Sequence, residues 1–419
     1  MKLQLHRICI FSVAIVIGAY PALSIIVDSA GSTLWYLLGT AGLLALAIFT
    51  KRTIEARNGC EVNILGFILI AFLLFSFLNQ AVHGLDDFST SRLERQALLL
   101  LTIPIFYLIA ALKIEQKTLF RAFSISGFLF FIYFLISSHE TRLNGVVHAI
   151  HFGNIAMVTM LLCMPAIAIS RSAIWRTVSI VAFTGSLLAF VYSGSRGGIV
   201  ALTLTLVFAL FFWSMRHKLF SQFAITIAII SIILFVSVQN IDPLKKRYTA
   251  TLTELQATEK GQFDNSIGIR LQLWKQALLS AQENYITGSG YSAYRQQVLG
   301  EVSNGTLSSL YVGFSSEPHN QILFQFSATG AVGLALMFFL FFAPIVLILK
   351  KSRLQPNIFE VCIILSIISL FFCGFTITLL DQRRVIQIFG FLYILAALSL
   401  KTRACGSQPI VPEQLPSPI

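Results

Sequence analysis

Twelve apolar runs, each near the ~20 residues that cross a bilayer as a helix, leave this chain few ways to fold. They fall at roughly 8–27, 34–50, 62–79, 97–112, 119–137, 150–169, 175–193, 198–213, 220–238, 321–349, 357–380 and 385–400. The 321–349 run exceeds one span, so it either tilts or begins outside the membrane. In hydrocarbon every backbone N–H and C=O needs a partner within its own helix or within a closed barrel. The runs are continuous rather than alternating, which excludes the barrel. The expected fold is therefore an all-α polytopic integral membrane protein. Composition agrees: 56% of the 419 residues are hydrophobic and only 11% are charged, against about 25% in an average soluble domain, and mean hydropathy is +0.80. The first run is long enough to span and lacks a small-residue cleavage site, so no cleavable signal peptide is expected.

Charge placement predicts orientation. One set of connections holds Lys2, Arg7, Lys51, Arg52, Arg57, Lys113, Lys117, Arg121, Arg171, Arg176, Arg216, Lys218, Lys350, Lys351, Arg353, Lys401 and Arg403, against Glu55, Glu61, Glu115, Glu360 and Glu413. The opposite set holds most of the acids, including Asp86, Asp87, Glu94 and Asp381. The positive-inside rule then puts both termini in the cytoplasm and the polar stretch 240–320 outside. The net charge of +12 thus has a topological cause and does not call for nucleic acid. Four regions follow: 1–239 with the first nine spans, 240–320 as one large outer loop, 321–400 with the last three spans, and 401–419 as a short proline-bearing tail expected to be disordered. None of the six cysteines lies in the loop, so no disulfide framework is implied.

Within the loop, Gly268 to Tyr285 fits an amphipathic helix. Ile269, Leu273, Ala277 and Leu278 share a face, Trp274 sits at its margin, and Gly288 is a stop. Such a helix lies on the membrane surface or caps the bundle. Gly288-Ser289-Gly290 superficially matches a nucleotide-binding turn, but no strand precedes it and it lies on the outer side.

Cations on the outer side need a reason other than topology. Arg196 sits in the tight Ser193-Gly194-Ser195-Arg196-Gly197-Gly198 connection, where glycines allow close backbone approach and a helix start favours an anion; headgroup snorkelling is the plainer reading. Arg270 falls in the first turn of the loop helix, against the dipole, unless it is simply solvated. His319 follows Glu317-Pro318 and directly precedes a span, so it is either a reacting group or, with Asn320, a helix cap. Arg142, Arg383 and Arg384 lie within a few residues of spans on the same face, with Asp381, beside Arg383, as their expected counter-ion. Several arginines on one face suit a phosphate or diphosphate, whose oxygens the guanidinium fork matches. His139, His148 and His151 offer one helical pair and no thiol or carboxylate in register, so they read as interfacial rather than metal-binding. No P-loop, His-Glu-x-x-His or Gly-x-Ser-x-Gly motif occurs.

Three of these features together resemble the bacterial O-antigen ligase family: Ser195-Arg196-Gly197 between spans; Arg270-x3-Trp274-x2-Ala277 leading to Gly288-x-Gly290; and Pro318-His319-Asn320 followed by Gly330 and Gly333. The twelve-span pattern with a large outer loop before the tenth span matches over essentially the whole chain. The resemblance implies a GT-C-like glycosyltransferase at the periplasmic face of a bacterial inner membrane. It would move O-antigen from undecaprenyl diphosphate onto lipid A–core without a metal or other cofactor and with inversion. It carries the family's essential groups onto Arg196, Arg270 and His319 as catalytic residues. Arg142, Arg383 and Arg384 join them as expected binders of the donor diphosphate or the acceptor's phosphates. The expected partners are these two substrates and membrane lipids, with other lipopolysaccharide-assembly proteins in prospect and no nucleic acid. An O-antigen polymerase or a protein O-oligosaccharyltransferase would use the same donor. A transporter is the reading from another class, but nearly acid-free spans argue against it.

Overall fold

The computed structural model describes residues 2–49, 60–137, 142–217, 240, 242–282 and 284–406. Among these every regular element is helical. In chain order the bundle begins with α1 (Lys2–Ile26), α2 (Ala30–Ile48) and α3 (Cys60–His83). Next, α4 (Asp87–Ala97) runs through a tighter 3-10 turn at Leu98–Leu101 into α5 (Thr102–Ala111). Then come α6 (Gln116–Ser137), α7 (Ala149–Ile169), α8 (Ala173–Tyr192) and α9 (Arg196–His217). The loop supplies α10 (Asp242–Glu259), α11 (Ser266–Ala281) and α12 (Tyr291–Ser303). The chain re-enters the bundle with α13 (Gln321–Lys351), α14 (Ile358–Cys373) and α15 (Arg383–Gly406).

Ten of the described helical stretches are long and apolar enough to cross a membrane, α4 to α5 counting as one. They correspond to ten of the twelve expected runs. The 357–380 run yields a shorter helix, Ile358–Cys373, of about 24 Å at 1.5 Å per residue. The 220–238 run lies outside the described residues. The fourth span starts ten residues before its apolar run, because the polar stretch 87–97 is helical too. Its start is fixed by Asp86, whose carboxylate accepts from the Ser89 N–H at 2.8 Å while the Ser89 hydroxyl accepts from the Asp86 N–H.

The centre of the bundle is α15. Every residue from Val385 to Leu400 is buried, and α15 packs against α1, α2, α3, α5, α6, α7, α13 and α14. Near its loop-side end, Phe391 meets Trp35 edge-on at 4.9 Å and Tyr20 at 5.0 Å, geometries worth about 0.5–1.5 kcal/mol beyond area. The Trp35 indole N–H is satisfied by the Leu98 carbonyl at 3.0 Å. The outer helices expose Phe11, Leu43, Phe67 and Phe212, as a lipid-facing surface requires. The first turn of α15 therefore holds Arg383 and Arg384 at the end of the most deeply buried of the described spans.

The loop folds into a cap with its own core. Leu273, Ala277, Tyr291, Tyr294, Val298 and Tyr311 close around Phe324 and Ala328 of α13, and Tyr291 stacks on Phe324 at 5.5 Å. The amphipathic helix is α11, ending at Ala281, and it caps the bundle by packing on α13. Its buried face is turned from the expected one. Gln276 and Ser280 are inside and Leu278 is 47% exposed, because both α12 and α13 claim the Leu273–Ala277 side. The long 321–349 run does begin in the cap: its first turns complete the loop core, and the helix breaks at Gly330 (φ 63°). At that break the Ala331 and Val332 N–H groups leave the helical ladder for the Tyr285 and Ile286 carbonyls, at 2.8 and 3.1 Å. The freed Ser327 and Ala328 carbonyls accept from Ser289 and Gly290 at 3.0 Å. A Cβ on Gly288 would sit 2.4 Å from the Thr329 nitrogen. The Gly288-Ser289-Gly290 turn is thus a backbone splice between cap and span, and glycine is what its close approach and positive φ require.

Candidate active site

Between cap and bundle lie two adjoining clefts, of about 660 Å³ and 560 Å³. Arg142, Arg196 and Arg270 line the first. Arg95, Arg383, Arg384, His151 and Glu317 line the second. His148, Ile150 and His319 line both, so His319 stands on their common wall.

Arg196 is the first residue of α9. Ser195 caps that helix, its hydroxyl accepting from Gly198 N–H at 3.1 Å. Gly197 is needed because a Cβ there would lie 2.2 Å from the Thr376 hydroxyl. The Arg196 guanidinium holds the cap: Nη1 donates to Thr251 Oγ1 at 2.9 Å, and Nη1 and Nη2 bracket the Glu254 carboxylate at 3.2 and 3.1 Å. Both partners belong to α10. Arg142 reaches the same connection, its Nε donating to the Ser193 carbonyl at 2.6 Å.

Arg270 lies in the second turn of α11, not the first, because Asn265 caps the helix by accepting from Ile267 and Gly268 N–H at 3.1 and 3.0 Å. Among the described residues it has no hydrogen-bond or ion-pair partner. Burial, and then the neighbouring Arg196 charge, pull its pKa below the ordinary arginine value, with Glu254 opposing. A half-buried guanidinium whose donors no protein group takes up is open to an anion's oxygens. One turn on, the Trp274 indole N–H donates to the Pro318 carbonyl at 3.1 Å. The Arg270-x3-Trp274 spacing thereby ties Arg270 to the segment that carries His319.

Asn320 alone caps α13, accepting from Ile322 and Leu323 N–H at 3.0 and 3.1 Å, so His319 has no capping duty. His319 is left-handed (φ 52°), a conformation disfavoured for a side chain with a Cβ. Its Nδ1 lies 3.3 Å from Glu317 Oε1. Burial alone would raise the Glu317 pKa, but the hydrogen bond and charge of His319 hold it below the usual carboxylate range, with the nearby Thr378 hydroxyl adding to that. Glu317 Oε2 accepts no full hydrogen bond. An ionised Glu317 keeps the imidazole proton on Nδ1 and leaves Nε2 to accept another. His148 caps α7 with its ring accepting from Ile150 N–H at 3.4 Å; burial and then Arg142 and His319 push its pKa down. His139 lies outside the described residues, within which no cluster of three or more His, Cys, Asp or Glu side chains is placed to hold a metal ion.

One expected pairing is corrected. Asp381 is not the counter-ion of Arg383. It is held by Arg92 Nη1 at 2.6 Å and Arg95 Nη1 at 2.8 Å, because α4 extends past its apolar run and brings both arginines under the turn before α15. Arg383 pairs with Glu94 at 3.0 Å and Arg384 with Asp28 at 3.5 Å. Glu317, Glu254 and Arg95 had no assigned role in the sequence reading. Only Glu317 had a local signal, its place two residues before His319.

In this helical multi-pass membrane protein, several arginines and a carboxylate-held histidine thus converge under a folded cap. Residues 180–338 match the family model described as O-Antigen ligase. The matched segment contains Arg196, Arg270 and His319. An uncharacterized protein of Haemophilus influenzae is 26% identical over 308 residues, covering 71% of this chain and 75% of that protein.

Proposed function

We propose that this protein is an O-antigen ligase, transferring a glycan from undecaprenyl diphosphate to lipid A–core at the periplasmic face of the inner membrane. The observation that carries the reading is the meeting of Arg196, Arg270 and His319 on one cleft, from three separate parts of the chain. In the reaction, a hydroxyl oxygen of the acceptor attacks the anomeric carbon of the donor from the side opposite the diphosphate, inverting that centre. The carbon–oxygen bond to the diphosphate breaks and its electron pair leaves on the lipid diphosphate. Arg270 and Arg196 neutralise the charge that builds there, Arg196 exchanging Glu254 for phosphate oxygens, with Arg142 behind them. Nε2 of His319 takes the hydroxyl proton while Glu317 steadies the imidazolium that forms. The donor is already activated, which suits a compartment without ATP.

The test is transfer by the purified protein between undecaprenyl-diphosphate-linked glycan and lipid A–core, followed as a gel shift of the core glycolipid, with and without EDTA. Metal-independent transfer is expected. In a deletion strain, O-antigen should vanish from lipid A–core while long chains accumulate on the lipid carrier. Persistence of core capped by a single repeat would make the protein a polymerase instead, and absence of any periplasmic glycan would point to transport.

A further inference from the structure

We propose that the second cleft is the acceptor subsite and that it recognises a sugar bearing an anionic substituent, a phosphate being the best match. This rests on the transfer reading above and assigns the two clefts different ligands. At about 560 Å³ the second cleft is within the ~300–1,000 Å³ range of small-molecule sites.

Its charged groups are poised rather than spent. Among the described residues the ion-pair partners of Arg383 and Arg384 are Glu94 and Asp28, whose side chains are 60% and 88% exposed. Such exposed pairs contribute little, so a phosphate that the guanidinium forks can grip replaces them with little loss. Arg95 lines the same wall with its guanidinium engaged by Asp381 and Ser91, so it adds positive potential rather than free donors.

The polar groups ask for hydroxyls as well as charge. Glu317 Oε2 and His151 Nδ1 are buried without a full hydrogen-bond partner, and both residues line this cleft. Buried polar atoms are rarely left so. A carboxylate beside arginines disfavours a bare anion but suits a sugar, whose hydroxyls donate to it while its phosphate faces the guanidiniums. Finally, His319 lines both clefts. A hydroxyl presented from the second cleft meets the anomeric carbon of a ligand in the first where the base stands, the approach that transfer needs.

The experiment is binding by the full chain in detergent, read by native mass spectrometry. Its probes are lipid A–core, the same glycolipid stripped of phosphate, and farnesyl diphosphate as a donor-like ligand. Arg383→Ala/Arg384→Ala should weaken lipid A–core binding by roughly tenfold or more, the scale of one hydrogen bond to a charged group, while farnesyl diphosphate binding, which also reports the fold, stays unchanged. Arg270→Ala should do the reverse, and Glu317→Gln, a shape-conserving change, should weaken native and stripped glycolipid alike. Equal binding of lipid A–core by wild type and double variant would overturn the proposal, as would equal loss of both probes. Stripped glycolipid binding as tightly as native would refute the anionic element, and full competition by millimolar inorganic phosphate would make free phosphate the ligand. If farnesyl diphosphate ignores Arg270 while lipid A–core still depends on Arg383 and Arg384, the donor reading fails and the acceptor subsite stands.

Discussion

Two arginine–carboxylate clusters flank the candidate site, and they put one chemistry to opposite uses. On the bundle side, Arg92 and Asp381 are 3% and 7% exposed and 2.6 Å apart. The Arg92 guanidinium also donates to the Ser316 carbonyl and lies over the Phe88 and Phe324 rings at 4.0 and 4.9 Å. It joins α4, the turn before α15 and the His319 segment. On the cap side, Arg196 and Glu254 are 33% and 20% exposed, and Arg270 beside them has no hydrogen-bond or ion-pair partner among the described residues. Burial and satisfaction, rather than residue type, separate a structural arginine from one that can serve a substrate.

The largest expected effect follows from the buried cluster. Arg92→Ala would leave Asp381 with only the half-exposed Arg95 and remove the tie to Ser316. Breaking a buried pair typically costs about 3–5 kcal/mol. The protein should lose most of its folded yield or melt far earlier in detergent, measured by size-exclusion fluorescence. A stable Arg92→Ala protein with ordinary transfer would erase the contrast between the clusters. Arg270→Ala should do the opposite: an unchanged melting temperature with transfer lowered by about 10²–10³-fold, the usual effect of removing one preorganised charge-stabilising donor. A fall in stability without a specific fall in rate would class Arg270 with Arg92.

The contrast also marks how far the sequence could be read. The spans were legible because hydrocarbon forces long apolar runs, and Arg196, Arg270 and His319 stood out as candidates because each sits in a short motif. The polar helices α4 and α10 were not. Hydropathy has no signal for a helix that is polar on most sides, and Pro243 at the start of α10 is an initiating residue rather than a breaker. The Arg92–Asp381 bond joins residues 289 positions apart and leaves no local trace. That is why Arg383, two residues away, looked like the partner of Asp381.

Glu317 lies between the extremes: it is buried like Asp381, yet its partner is His319 rather than a structural arginine. Its pKa is depressed in the folded state, so its contribution to stability is present above the unfolded value of ~4.3 and is lost as pH falls through the lower folded value. Between pH 6 and 3, wild-type melting temperature should therefore drop more steeply than that of Glu317→Gln, with the divergence beginning near pH 4. The variant should also turn over more slowly at neutral pH, because an amide cannot stabilise the imidazolium. Parallel melting curves would mean that Glu317 carries no charge-linked stability.

The smallest expected effect has the opposite sign. In the ligand-free protein Glu254 lies where it competes with any anion for Arg196, and it holds α10 over the cleft. A diphosphate has to displace that carboxylate, so part of its binding energy goes into breaking a half-exposed pair worth at most about 1 kcal/mol. Glu254→Gln keeps the shape and removes the competing charge, and it also raises the positive potential felt by Arg270. Farnesyl diphosphate should then bind up to roughly fivefold tighter, that same 1 kcal/mol expressed as an equilibrium constant, and the gain should shrink as salt is raised. Weaker binding in Glu254→Gln would mean that the carboxylate orients Arg196 for the ligand instead of competing with it. The cap-side cluster would then be preassembled in the way the bundle-side cluster is.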